Sequence, residues 1–296
     1  MEDQAVQHYN EGVEFANHGL YVKAVESFDK AIAINPDYTN AWCNRGCALG
    51  ELGRYTEAVD SYNKAIAINP NDAEVWYNRG VELGNLGQYT EALESYDKAI
   101  AINPDYTNAW CNRGSALGNL GRYTEALVSS DKVIAIDSDN AKAWSNRGEA
   151  LRQLGQYTEA LVSCDKAIAI NPDYALAWYN RGCTLDNLDR YSEAVDSYDK
   201  AIAINPNDAD AWSNRGYAFD SLGRYTEAVD SYDKALAINP NDTNTWYNRG
   251  IALKNLGRYS EAVDSYDKAI AIDPNQNNLD IDRDREIALQ HLDNKC

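Results

Sequence analysis

The chain has 296 residues, of which 44% are hydrophobic, and its 46 acidic residues outnumber 27 basic ones to give a formal net charge of −19. This hydrophobic content, with seven Trp and 21 Tyr, predicts a folded chain and excludes a disordered one. Because the negative charge repels phosphate backbones and no basic run relieves it, we predict no binding to nucleic acid.

The N-terminal residues show neither a basic segment nor an apolar stretch, so we predict no secretory signal. Apolar runs such as 65–68 end after a few residues, which predicts no membrane span. Six cysteines fall at scattered positions without a CxxC pair: Cys43, Cys47, Cys111, Cys164, Cys183 and Cys296. Reduced thiols in a cytoplasmic compartment are the simplest interpretation.

Tryptophan recurs every 34 residues, at Trp42, Trp76, Trp110, Trp144, Trp178, Trp212 and Trp246. A fixed period of this length is typical of a solenoid, in which stacked units bury one another's apolar faces. With Trp at repeat position 4, the eight predicted repeats are 5–38, 39–72, 73–106, 107–140, 141–174, 175–208, 209–242 and 243–276.

The sequence signals within each repeat predict two helices. The first begins in an Asn/Asp-rich lead-in, a good N-cap region, and ends at a Leu-Gly pair such as 52–53. The glycine at position 15 favours the left-handed conformation that ends a helix, and only repeat 6 replaces it, with Asp189. The second helix has one apolar face and ends before Asn69 and Pro70 or their equivalents.

Small residues mark places where two helices approach closely: position 8 is glycine and position 20 is alanine in every repeat. Repeats 4 and 5 depart from the pattern on the second helix. Ser130 and Cys164 stand where repeat 2 has Tyr62. Because they bury less apolar area, we expect weaker packing there.

The residues Trp42, Gly46, Tyr55, Ala58, Tyr62, Ala65 and Pro70, set over a 34-residue helix–turn–helix unit, resemble the tetratricopeptide repeat (TPR) family. The resemblance covers residues 5–276. It implies an all-α, right-handed superhelix whose first helices line a concave groove and whose second helices form the convex back. Residues 277–296 lack the motif and place Ile281, Ala288 and Leu292 on one face, which predicts a solvating helix over repeat 8.

Position 6 is asparagine in every repeat: Asn10, Asn44, Asn78, Asn112, Asn146, Asn180, Asn214 and Asn248. It shares a helix face with positions 2, 9 and 13, and the resemblance makes this the groove face. An Asn side chain pairs with both N–H and C=O of an extended peptide. The series is similar to the asparagine ladder in the TPR superhelix of O-linked N-acetylglucosamine transferases. The alternative is that these asparagines fasten the repeats together and bind no ligand.

Specificity is expected from the variable groove positions 2, 5, 9, 12 and 13. Aromatic surface comes from Tyr77, Tyr179, Tyr217 and Tyr247. Charged residues at these positions comprise six acids and three bases, which favours a partner segment with a modest positive balance.

Position 7 is arginine in seven repeats, where the TPR family usually has Leu. Its small neighbours predict a semi-buried structural guanidinium, for which the aspartate at position 25 is the candidate partner. Repeat 2 has Asn63 at that position yet keeps Arg45, which argues against strict pairing. Ligand contact is the alternative role.

The chain shows no nucleophile–base pair, phosphate loop or metal-ligand spacing, so we predict no catalytic residues, no metal, no cofactor and no enzyme activity. The predicted function is a protein-interaction scaffold that binds an extended peptide segment of a protein partner in the groove. Two alternatives stay open: a structural or self-assembling solenoid, and a targeting module for an enzyme acting in trans. The oligomeric state is open between a monomer and self-association through the end repeats.

Overall fold

A computed structural model describes residues 2–273 and 279–293, and every regular element in these residues is an α-helix. The prediction of an all-α fold is therefore confirmed. Cys296 and residues 277, 278, 294 and 295 of the predicted terminal segment lie outside the described residues. Within the described part of the chain, no helix has the length and apolar character needed to cross a membrane.

Each of the eight predicted repeats contains one helix pair. The first helices are α1 Glu2–Asn17, α3 Thr39–Glu51, α5 Ala73–Asn85, α7 Thr107–Asn119, α9 Ala141–Gln153, α11 Ala175–Asp186, α13 Ala209–Ser221 and α15 Thr243–Asn255. The second helices are α2 Tyr21–Ile34, α4 Tyr55–Ile68, α6 Tyr89–Ile102, α8 Tyr123–Ile136, α10 Tyr157–Ile170, α12 Tyr191–Ile204, α14 Tyr225–Ile238 and α16 Tyr259–Ile272. A further helix, α17, spans Leu279–Asp293.

The chain divides into two compact units, Met1–Asn146 and Arg147–Cys296. In the first unit, α1 to α8 pack consecutively, with each helix against its sequence neighbour. In the second unit, α10 to α16 do the same, and α17 packs on α16. This nearest-neighbour packing is how a repeat architecture buries faces that one helix pair leaves open.

The turn between the two helices of a repeat is fixed by its glycine. Gly53 has a φ of +72°, and the other six position-15 glycines lie between +70° and +76°. Asp189 in repeat 6 adopts the same conformation with a φ of +57°. Its carboxylate accepts a hydrogen bond from the Tyr191 hydroxyl at 2.7 Å, a local contact that accompanies the unfavourable backbone conformation.

The predicted N-cap role of the Asn/Asp-rich lead-in holds for some first helices. Asp72, Asp208 and Asp242 accept hydrogen bonds from backbone N–H groups of the first turn. In α3 and α7 the N-cap residues are Tyr38 and Tyr106, which make no side-chain capping bond. The proline-containing turn before each of these two helices has an asparagine that accepts a backbone hydrogen bond, as the equivalent turn also does before the capped helices α5, α13 and α15.

The core between the two helices of a repeat is an aromatic ring laid over a glycine. The Tyr62 ring is 1% exposed and lies over Gly46, where an added Cβ would fall 2.7 Å from the ring carbon Cε1. Repeats 1, 3, 6, 7 and 8 repeat this arrangement with Phe28, Tyr96, Tyr198, Tyr232 and Tyr266. Position 8 is therefore glycine because the ring needs its Cβ space.

Repeats 4 and 5 show two outcomes of losing that ring. In repeat 5, Cys164 takes its place, and an added Cβ on Gly148 would fall 2.6 Å from Sγ. In repeat 4, Ser130 leaves space: the nearest atom to an added Cβ on Gly114 is Cβ of Ser129, at 3.4 Å. The weaker packing predicted from the sequence is thus visible over Gly114.

Helix α17 covers repeat 8 with its apolar face. Ile281 and Ala288 are buried and Leu292 is half-buried, and His291 stacks on Tyr259 with ring centroids 4.5 Å apart. Two ion pairs add to this contact: Lys254 Nζ to Asp284 Oδ1 at 2.9 Å, and Arg285 Nε to Asp267 Oδ1 at 2.5 Å. The helix therefore contacts repeat 8 through both apolar packing and ion pairs.

Candidate functional site

The face of the first helices that carries positions 2, 5, 6, 9, 12 and 13 is here called the first-helix face, and three cavities lie on it among the described residues. In the first unit, a cavity of about 160 Å³ is lined by Asn44 and Asn78, and a second of about 160 Å³ by Asn112. In the second unit, a cavity of about 470 Å³ is lined by Asn214 and Asn248. Position-6 asparagines thus line every one of these cavities.

Several of these asparagines fasten one repeat to the preceding one. Nδ2 of Asn44 donates to the Tyr9 hydroxyl at 3.0 Å, and Asn214 donates to Tyr179 at 3.1 Å. Asn112 donates to the Tyr77 hydroxyl at 3.2 Å. The alternative structural role is therefore real at these positions. Asn44 and Asn112 each carry a second N–H, so fastening does not exclude a ligand contact there, whereas Asn214 also donates to Cys183 Sγ at 3.5 Å.

The remaining asparagines are placed differently from one another. Asn146 donates to Ser115 Oγ at 3.3 Å, and Asn180 is buried, at 4% exposure. Asn10 is exposed in repeat 1. Asn78 and Asn248 are half-buried and make no side-chain hydrogen bond to a described residue. These last two present the whole amide to the cavities that they line.

The four tyrosines predicted to offer aromatic surface divide into two groups. Tyr77, Tyr179 and Tyr247 are half-buried between helices, and their rings lie about 6 Å from the core rings Tyr96, Tyr198 and Tyr266. Their hydroxyls are engaged as well, that of Tyr247 with Asp284 at 3.0 Å. Only Tyr217, at 47% exposure, presents its ring to solvent.

The bases on the first-helix face are all engaged within the protein. Lys142 Nζ donates to Asn112 Oδ1 at 3.0 Å, Arg152 pairs with Glu149 at 2.7 Å, and Lys254 pairs with Asp284. Five of the six predicted acids have no cationic partner among the described residues: Glu51, Glu74, Asp186, Asp210 and Asp220. Arg152 and Lys254 are thus neutralised by carboxylates and only Lys142 keeps an uncompensated positive charge, so the face has an acidic balance.

The arginine at position 7 links successive repeats. Arg45 Nε donates to Asp29 Oδ1 of the preceding repeat at 2.6 Å, and Nη1 donates to Ser61 Oγ of its own repeat at 2.6 Å. Its guanidinium also lies over the Trp42 ring, 5.9 Å from the centroid. The same Arg–Asp pairs recur at 113–97, 181–165, 215–199 and 249–233. The predicted structural role, with the position-25 aspartate as partner, is confirmed.

The pairing runs between repeats and not within them, which resolves the apparent exception at Asn63. Asn63 faces Arg79 of repeat 3, whose Nε donates to Asn63 Oδ1 at 2.8 Å. Arg45 is unaffected because its partner is Asp29 in repeat 1. Without a carboxylate opposite, burial lowers the pKa of the Arg79 guanidinium.

We expect Asn63→Asp to stabilise the chain by about 0.5–1 kcal/mol, since it returns an ion pair to a half-exposed site. Urea denaturation at pH 7 measures the change. The same substitution in an Arg79→Gln background is the control, and a double-mutant cycle isolates the pair. Equal effects of Asn63→Asp in both backgrounds would rule out the ion pair as the cause.

Two further contacts in this link were not predicted from the sequence. The serine at position 23 accepts a hydrogen bond from the arginine Nη1 and donates one to a backbone carbonyl one turn earlier. Ser61, for example, accepts from Arg45 and donates to the Glu57 carbonyl at 2.8 Å. The Trp42 indole N–H donates to the Pro36 carbonyl of the preceding repeat at 2.9 Å. Both residues recur in most repeats, and this recurrence could have indicated that they make a repeated structural contact.

The described cysteines offer no reactive or metal-binding group. Burial raises the pKa of Cys43 and of Cys164 to about 12, and it raises the pKa of Cys47 as well. Such thiols stay protonated at neutral pH and are poor nucleophiles. In the described residues, no three His, Cys, Asp or Glu side chains lie together as a metal site.

Comparisons with known proteins agree with this architecture. A family model described as Tetratricopeptide repeat matches residues 39–72, 73–106, 141–174, 175–208, 209–242 and 243–276, and a second with the same description matches 95–128. The chain is also similar to an uncharacterized protein of Methanocaldococcus jannaschii, with 52% identity over 46 residues. That match covers 16% of this chain and 54% of the relative.

Solved structures share the fold. The crystal structure of the APC/C hetero-tetramer Cut9-Hcn1 has a TM-score of 0.72 at 18% identity, covering 91% of this chain and 52% of that one. YrrB, described as a TPR protein with an unusual peptide-binding site, has a TM-score of 0.51 at 24% identity, covering 68% and 99%. The chain spans about half the length of the first of these structures, and both identities show the fold alone. The predicted α-solenoid is confirmed, and its repeats are those of a protein-interaction scaffold, because the chain belongs to the tetratricopeptide repeat family.

Proposed function

We propose that the eight predicted repeats, closed by the C-terminal helix, bind an extended peptide segment of a protein partner along the first-helix face. The observation that carries the proposal is the cavities of this face, each lined by position-6 asparagines. An amide side chain offers one acceptor and two donors, which suits the alternating N–H and C=O groups of an extended backbone.

The asparagines contribute unequally to this site. Asn78 and Asn248 have the whole amide available, and they line cavities in different units. Asn44, Asn112 and Asn214 use one N–H to hold a tyrosine of the preceding repeat. That bond fixes the orientation of the amide. The other polar groups of Asn44 are then positioned for a backbone, whereas the Asn112 oxygen also accepts from Lys142 and the Asn214 amide also donates to Cys183 Sγ.

The unpaired carboxylates set the chemistry of the partner. Because two of the three bases are paired with carboxylates and only Lys142 is not, the remaining acids outnumber the uncompensated cations on this face. A segment with a positive balance is therefore preferred, and binding is expected to weaken with salt. The proposal includes no catalytic step and no cofactor, and it keeps the predicted cytoplasmic location.

The test replaces the two asparagines that have no internal hydrogen bond. We expect Asn78→Ala to weaken binding of extended twelve-residue peptides to the first unit by about tenfold, and Asn248→Ala to weaken their binding to the second unit by about tenfold, because one amide in each unit no longer pairs with the peptide backbone. Fluorescence anisotropy with an arrayed peptide series measures the affinity. Each variant should keep the thermal stability of the wild type, since neither amide makes a side-chain hydrogen bond to a described residue.

The matched control is Gln88→Ala/Gln156→Ala, which removes two exposed amides at second-helix N-termini that make no capping bond. It should bind as the wild type does. Equal affinities of the Asn variants and the wild type would indicate that the peptide does not bind on the first-helix face. If no peptide binds any form, the structural or self-assembling alternative takes precedence.

A further inference from the structure

Position 2 of the first helices carries a base in only one repeat. Its residues in repeats 1 to 8 are Val6, Asn40, Glu74, Asn108, Lys142, Leu176, Asp210 and Asn244. Lys142 is exposed near the start of α9, in the first unit. Its ammonium forms no ion pair with a described residue, whereas Arg152 and Lys254, the other bases of the first-helix face, each pair with a carboxylate. Lys142 is therefore the isolated cation of this face.

The ammonium of Lys142 is held at a defined place. Its Nζ donates to Asn112 Oδ1 of the preceding repeat at 3.0 Å. The same amide donates through Nδ2 to the Tyr77 hydroxyl at 3.2 Å, so two contacts fix its orientation. An ammonium has three N–H donors and no acceptor, and two donors of Lys142 remain after the bond to Asn112. The polar group offered at this place is therefore a fixed cationic donor.

The cavity beside this ammonium differs in charge from the other two of the first-helix face. It is the cavity of about 160 Å³ that Asn112 lines, and none of its lining residues carries a charge. The other two cavities each have two carboxylates in their lining, Asp72 and Glu74 in one and Asp210 and Asp242 in the other. Of the three cavities, this one is therefore open to an anion without like-charge repulsion from its own lining.

Two acids close to Lys142 in the sequence are engaged elsewhere. Asp137 accepts hydrogen bonds from a backbone N–H at 3.1 Å and from the Asn140 amide at 3.4 Å. Glu149, on the same helix as Lys142, pairs with Arg152 at 2.7 Å. The positive charge of Lys142 is thus left for a ligand.

A carboxylate is the group that matches this arrangement. When ionised it has only acceptor oxygens, and its charge is opposite to that of an ammonium. An ionised acceptor also forms shorter and stronger hydrogen bonds with an ammonium than a neutral carbonyl does. An Asp or Glu side chain and the C-terminus of a peptide both supply this chemistry.

We propose that Lys142 binds a carboxylate of the peptide partner beside the cavity that Asn112 lines. The inference rests on the proposed function and deepens it, because it adds one acidic group at a fixed place to a segment whose overall balance is positive. Asn112 is a positioning residue, since it holds the ammonium while its own Nδ2 is bound to Tyr77. The ammonium is ordered before the ligand arrives, so less side-chain freedom is lost on binding.

The probes are twelve-residue peptides of Ala, Ser and Gly with acetylated and amidated ends, carrying one glutamate at each position in turn, beside the same series with glutamine. A further peptide without an acidic side chain has a free C-terminal carboxylate and is compared with its amide. We expect the best carboxylate peptide to bind the wild type about fivefold tighter than its neutral counterpart, since the gain is that of an exposed ion pair. The ratio should shrink as the salt concentration rises. The comparison in which the ratio appears identifies a side chain or a C-terminus as its source.

Lys142→Met keeps the approximate length of the side chain and removes its charge, so it should reduce this ratio to about one. Lys142→Arg keeps the charge and should retain most of the ratio. The matched control is Lys132→Met, which removes an exposed ammonium from the second helix of repeat 4 and should leave the ratio unchanged. Circular dichroism of each variant checks the fold.

Carboxylate and neutral peptides that bind the wild type equally in both comparisons would overturn the carboxylate site. The proposed function would still stand, because binding of the neutral peptides reports on the backbone contacts alone. A ratio that persists in Lys142→Met would also overturn the assignment. If no peptide binds in any series, then the proposed function fails and the carboxylate site fails with it.

Discussion

Gly80→Ala is expected to destabilise the chain by about 2–3 kcal/mol, whereas Gly114→Ala is expected to stabilise it by about 0.5–1 kcal/mol. Both glycines are buried at position 8 of a first helix, in adjacent repeats. A Cβ on Gly80 would fall 2.6 Å from Cε1 of Tyr96, a ring that is itself 3% exposed. The ring and the two helices would have to separate to admit a methyl group.

At Gly114 the same methyl group meets nothing closer than 3.4 Å, because Ser130 has replaced the ring. The substitution then gains helix propensity without strain. Urea denaturation of the two variants beside the wild type measures the change in the free energy of unfolding for each, and the two changes should have opposite signs. Destabilisation of similar size at both sites would show that position 8 needs glycine for a reason other than the ring, such as backbone approach.

A fall in stability from pH 5 to pH 8 is the second large effect that we expect. The pKa of Asp186 rises from an ordinary value of 3.8 to about 7 in the folded chain. Between these values the folded state binds more protons than the unfolded state, so the free energy of unfolding decreases as pH rises. Ionisation of Asp186 alone removes on the order of 3 kcal/mol, and Asp210, Asp220 and Glu82, whose pKa values burial also raises, act in the same direction.

Carboxylates with the opposite shift act in a lower pH range. Arg54 lowers the pKa of Glu57 from its ordinary value of 4.5, and the equivalent exposed pairs do the same in four other repeats, so their contribution is present above that value and is lost as pH falls below it. Chemical denaturation at pH 5, 6, 7 and 8 therefore isolates the buried group. Asp186→Asn should flatten most of the profile, while Asp196→Asn, exposed on the second helix of repeat 6, should leave it unchanged. A flat wild-type profile would contradict the burial of an ionisable Asp186.

Much of the fold follows from local chemistry that repeats along the chain. A left-handed glycine after Leu52 ends a first helix, and Pro70 stops the second helix at Ile68. Such signals depend on a few adjacent residues and survive in almost every unit. Asp189 shows the limit of that reasoning: its departure is visible in the sequence, but its left-handed backbone and its bond to Tyr191 are not.

The candidate site was less predictable because its contacts join residues from different repeats. Periodicity shows that Asn44 recurs, but only the structure shows that its amide holds Tyr9. The same holds for Arg45, whose partner lies in the preceding repeat and not in its own. Buried polar atoms without a hydrogen-bond partner are harder still to predict from the sequence. Asp220 is one acid among many there, and it differs from most of the others in that its Oδ1 is buried without a partner.

The direction of the Arg–Asp link has a consequence for how such a chain changes length. Every repeat that contains both residues offers an arginine to the unit before it and an aspartate to the unit after it, as Arg215 and Asp233 do. A copied unit inserted anywhere in the array therefore finds both of its neighbours already complementary. The identical strings at 30–46 and 98–114 are consistent with such copying, and equally with a consensus-like origin of the repeats. Recombination between gene segments can then add or remove helix pairs without redesigning any junction.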